Sequence, residues 1–132
     1  MLCIQGIRNL IGNKETVLFD IGNEIKDGLL RFDIWFCGVR LTVVDNMAYP
    51  PSTIGALKFE LNQLKNQRIN PDNFWFNFGP IADDFFSNIY LSSGLAIIKV
   101  EFKEHIHTLE IPIAELSEIY KSAIHVVSAK NT

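Results

Sequence analysis

Between Arg68 and Lys99 the chain contains no lysine or arginine. A segment of that length without positive charge offers nothing to neutralise phosphate. Elsewhere the twelve Lys and Arg residues never stand side by side, and fifteen Asp and Glu bring the net charge to −3. Nucleic acid is therefore not the expected partner, whereas a basic protein is compatible with the charge. Cysteine is scarce as well. Cys3 and Cys37 are the only two and lack CxxC spacing, which excludes a disulfide framework and a cysteine-based zinc site. No stretch approaches the ~18 consecutive apolar residues that span a bilayer. The start, MLCIQGIRNLIG, lacks the basic region, apolar middle and small-residue cleavage site of a signal peptide. A reduced, cytoplasmic protein with no membrane partner is expected.

Catalytic signatures are missing too. There is no GxSxG, HExxH or P-loop, and the glycines are scattered rather than arranged to cradle phosphate. Cys37 beside Gly38 has only Arg40 as a neighbouring cation to activate a thiol, so it reads as a tolerated turn residue. His105 and His107 have the i, i+2 spacing that puts two side chains on one face of a strand, with Glu101 or Glu104 as a third metal ligand. An isolated HxH lacks the further ligands a site requires, and solvated turn histidines are the favoured reading. His125 has no chemical neighbour in the sequence. No enzyme, no metal and no cofactor are expected.

What is present is a globular chain of 132 residues, 48% hydrophobic and 20% charged. That is one domain's length, enough to bury about two thirds of the unfolded surface. Leu30, Phe32, Ile34 and Phe36 alternate with Arg31, Asp33 and Trp35. Cys37-Gly38 then makes a two-residue turn, and Val39, Leu41 and Val43 resume the alternation, which predicts a β-hairpin. Thr16–Ile21 reads as a preceding strand, giving three antiparallel strands in meander order. Pro50-Pro51-Ser52-Thr53 opens a helix near Thr53–Lys65, capped by Ser52 or Thr53. Ile54, Leu57, Leu61 and Leu64 face the sheet, leaving Lys58, Glu60, Asn62, Gln63 and Lys65 for water. A second hairpin is expected from Leu95–Lys103 and Thr108–Ile113, joined by Glu104–His107. A helix near Ala114–Ala123 follows. The fold class is α+β, a mainly antiparallel sheet built from hairpins with two or three helices packed on it. Phe32, Ile34, Phe36, Leu41, Val100, Phe102 and Ile111 are expected in the core.

The most informative segment is the one without positive charge. Phe74, Trp75, Phe76, Phe78, Phe85, Phe86 and Tyr90 lie there with Asp72, Asp83 and Asp84. Rings provide contact area at low entropic cost and carboxylates steer cationic partners, which suits a protein-binding surface. It also suits a core, the ordinary destination of aromatic residues in a small domain. Phe74 to Phe78 reads as a short strand with Phe74, Phe76 and Phe78 on one face. Asp83-Asp84 points to binding rather than catalysis, because adjacent side chains diverge on most backbones. Glu101, Glu104, Glu110, Glu115 and Glu118 form a second acidic concentration.

The early strand VLFDIGNEI, the hairpin RFDIWFCGVRLTV and the helix TIGALKFELNQL follow one another in an order that resembles the immunity proteins of bacterial toxin systems, in particular contact-dependent growth inhibition. The resemblance spans residues 16 to 66 as a pattern. It implies a small acidic cytoplasmic protein that binds a cognate toxin domain, commonly a basic nuclease, and blocks its active site. Asp72, Trp75, Asp83, Asp84, Phe85 and Phe86, with Glu101 and Glu104 as a second set, are the expected partner-binding residues. Two alternatives stand beside it: a non-enzymatic adaptor or self-associating module using the same rings, and a small metal- or ligand-binding enzyme using His105 and His107.

Overall fold

The computed structural model describes residues 9–132; Cys3 and the apolar start lie outside them. The expected α+β class is found, with the antiparallel strands divided between two sheets. The first contains β1 (Asn9–Gly12), β2 (Val17–Ile21), β3 (Leu30–Phe36) and β4 (Val39–Arg40) in that order, with β5 (Met47–Ala48) on the far end of β3. The second contains β6 (Phe86–Ser92), β7 (Leu95–Phe102) and β8 (His105–Pro112). The helices are α1 (Pro50–Asn66) and α2 (Ile113–Lys130).

The first hairpin forms as its alternation predicts, with Cys37 and Gly38 at φ 52° and 81° in the turn. Its return strand is shorter than expected and stops at Arg40. There the Thr42 hydroxyl replaces the ladder, accepting from the Ile34 N–H at 3.3 Å and donating to Asp33 at 2.6 Å. Val43 is consequently exposed. The second hairpin is tighter than expected. Lys103-Glu104, at φ 49° and 66°, forms the whole turn, and His105 and His107 lie in β8 rather than in a loop. Strand β6 was not foreseen. Its signals are the alternation of Ser87, Ile89 and Leu91 with Asn88 and Tyr90, and the two-residue turn Ser93-Gly94.

Helix α1 begins earlier than predicted, with Pro50 and Pro51 in its first turn and Tyr49 as a cap without a side-chain bond. Proline there lacks an N–H that would otherwise be unsatisfied, so the Ser52 or Thr53 cap is unnecessary. The helix ends at Gln67, left-handed at φ 51°, and the Arg68 N–H returns to the Gln63 carbonyl at 3.0 Å. Its buried stripe is Thr53, Leu57, Glu60 and Leu64, while Ile54 and Leu61 are half-buried on the flanks. That stripe packs chiefly against α2 rather than the sheet. Glu60 and Gln63, expected in water, are buried. Helix α2 touches β1 and β2 on one side and β7 and β8 on the other, so it joins the two sheets.

All seven residues expected in the core are buried. At its centre the Phe19 ring meets Phe32, Phe76, Phe78 and Tyr120 at centroid distances of 5.2 to 6.1 Å. Phe76 and Phe78 come from a loop and not from the predicted strand. Phe76 has φ 56°, which breaks the alternation and lets Trp75, Phe76 and Phe78 all turn inward. A left-handed phenylalanine costs about 1–3 kcal/mol, and complete burial of its ring offsets that.

Candidate partner-binding surface

The antiparallel register decides which side chains share the outer face of the three-stranded sheet. Phe86 pairs with Glu101, and Glu101 with Ile106. The same face carries the rows Asn88, Lys99, Thr108 and Tyr90, Ile97, Glu110. Phe86, Tyr90 and Ile106 are each about 60% exposed there. Phe74, from the loop after α1, lies against Phe86 at 5.6 Å between centroids and is itself 59% exposed.

Asp84, Phe86, Glu101 and Glu104 line one cleft of about 390 Å³, together with Lys103, His105 and Ile106. The two acidic groups, about twenty residues apart in the chain, therefore meet around a single exposed ring. Asp83 lines an adjoining, smaller cavity with Phe74 and Phe86. Three expected contact residues are placed otherwise. Trp75 and Phe85 are buried, at 2% and 5% exposure, and line the smaller cavity beside the exposed Phe74 and Phe86. The Trp75 N–H and carbonyl are tied to Ser87 of β6, by a bond from its N–H to the Ser87 carbonyl at 2.8 Å and one from the Ser87 hydroxyl. Asp72 is exposed in the preceding turn but lines neither cavity.

No family model, curated protein or solved structure matches the chain. What the surface can do must be read from its chemistry.

Two further polar groups stand out. Asp20 and Asp33 face each other across β2 and β3 and are both nearly inaccessible. Arg31 bridges them at 3.1 and 2.8 Å. Burial opposes the guanidinium charge, but the bonds to both carboxylates outweigh it and raise its pKa. Thr42 and Asn46 complete the shell of Asp33. This cluster holds the sheet together.

The second is Glu60, 2% exposed. Its carboxylate accepts from the Tyr120 hydroxyl at 2.5 Å and the Asn77 N–H at 2.9 Å. Burial raises its pKa to about 7, although the bonds from Tyr120, Asn77 and Phe76 pull the other way. The sequence did carry a signal for this burial. Glu60 lies three residues after Leu57 and four before Leu64, on the apolar stripe itself. Burial likewise pushes the Cys37 thiol up, with the Glu15 charge adding to it, so it is no activated nucleophile. Among the described residues, no three His, Cys, Asp or Glu side chains come together as a metal site, and no helix is long and apolar enough to cross a membrane.

Proposed function

We propose that the chain is an immunity protein that binds a basic toxin domain, expected to be a nuclease, and occludes its active site. The observation that carries this reading is the convergence of Asp84, Glu101 and Glu104 around the exposed Phe86 ring. Nuclease active sites present Lys, Arg and His to phosphate, and carboxylates placed on such a surface occupy the same positions electrostatically. Exposed Phe74, Phe86 and Ile106 provide the water-excluding contacts in which such charge pairs gain strength. Self-association through the same face is the less favoured reading. A twofold contact centred on Phe86 would bring two copies of the acidic cleft together, with Lys99 and Lys103 to compensate.

The test is direct. The chain should co-purify with the toxin domain encoded immediately upstream of its reading frame and rescue cells expressing that domain. A toxin there that neither binds the chain nor is neutralised by it sinks the reading, as does the absence of any toxin gene. Light scattering on the chain alone should report a monomer; a dimer would favour the self-associating module.

A further inference from the structure

Glu60 has an arrangement that a purely structural carboxylate does not require. A buried carboxylate without a counter-ion is costly, and proteins ordinarily pair it with a cation. None of the ion pairs among the described residues involves Glu60. What faces it is the Tyr120 hydroxyl from α2 and, from the loop after α1, the backbone N–H groups of Asn77 and Phe76. These bonds leave part of its acceptor capacity unused, since an ionised carboxylate has about four lone-pair sites.

Glu60 also lines a surface cavity of about 380 Å³ with Ala56, Phe59, Asn73, Phe74 and Asn77. Phe59 and Phe74 are 56% and 59% exposed, so two aromatic residues border the cavity, and Glu60 is the buried acid among the residues that line it. Rings above a desolvated carboxylate form the chemistry that receives a cation, through the ring quadrupole and the charge together. Phe74 belongs to the acidic surface as well, lying against Phe86. We infer that this cavity is a socket for one arginine or lysine side chain of the partner, with Glu60 as the counter-charge and Phe59 and Phe74 as its walls. The identity of the donor as a toxin side chain rests on the function proposed above; the affinity of the socket for a cation does not.

Entry of a guanidinium requires an ionised Glu60, whose pKa in the free protein is about 7. Binding therefore releases a proton below that pH, and affinity falls about tenfold for each pH unit below 7. The experiment uses the isolated full chain and methylguanidinium as the probe, at matched ionic strength, followed by NMR. At pH 8 the Asn77 amide and the Glu60 carboxyl carbon should shift saturably, and the probe should lower the carboxyl pKa of the unmutated protein. Glu60→Gln should abolish the saturable shift, and Phe74→Ala should weaken it several-fold while leaving circular dichroism unchanged. A Glu60 titration indifferent to the probe, or equal shifts in Glu60→Gln, would overturn the socket. Failure to find a toxin would leave this result untouched, because no toxin is used.

Discussion

Arg31 holds together two carboxylates that would otherwise repel across the β2–β3 pair. Removing it takes the guanidinium away from two carboxylates nearly closed to water and leaves Asp33 with the neutral Thr42 and Asn46 bonds. Arg31→Ala should cost about 3–5 kcal/mol, the usual cost of breaking a buried pair from one side, as measured by urea unfolding at neutral pH. Glu60 makes a second prediction, in the opposite sense. Its folded pKa, about 7, lies above the ordinary 4.5, so the folded state holds the proton more tightly. The stabilisation is complete below about pH 4.5 and is lost as pH rises through 7. Glu60→Gln cannot ionise, so its stability relative to the parent should improve by roughly 3 kcal/mol between pH 4.5 and 8. Thermal unfolding at both pH values checks this; a constant difference would mean that Glu60 titrates normally in the fold.

At the scale of elements, tight turns govern where the acidic groups end up. Lys103 and Glu104 form the β7–β8 turn with both residues left-handed, where Asn-Gly is the favoured pair. Lys103→Asn with Glu104→Gly should stabilise the hairpin by about 1 kcal/mol, read as a raised midpoint in urea. The same change removes one carboxylate and one lysine from the cleft. The strand alternations and the apolar stripe of α1 were legible because their periods are local properties of the chain. The loop from Asn73 to Phe78 was not. Its alternating rings imitate a strand, and only packing against Phe19, Phe36 and Tyr120 makes a left-handed Phe76 tolerable.

For the whole molecule, charge reversal tests where a partner lands. Asp83→Lys with Asp84→Lys should slow association with a basic toxin domain by about tenfold at low salt and much less at high salt, as steering by exposed charge is screened. Circular dichroism should be unchanged, since both residues are exposed. Rates unchanged from the parent at both salts would move the landing site elsewhere, first to the Glu101–Glu118 cluster.

The sequence by itself determined the α+β class, the two hairpins, both helices and the core residues of the strands, because each follows from periodicity and turn chemistry over a few neighbouring positions. It also marked the acidic, ring-rich segment as exceptional. Only the tertiary structure decided which rings face inward. Trp75 and Phe85 went to the interior and Phe74 and Phe86 to the surface, a division that depends on where β6 pairs and on the turn at Phe76. Tertiary packing likewise brought Asp84 beside Glu101 and Glu104 and closed α2 over Glu60. Those contacts join residues far apart in the chain, and no local pattern encodes which distant neighbour a side chain will meet.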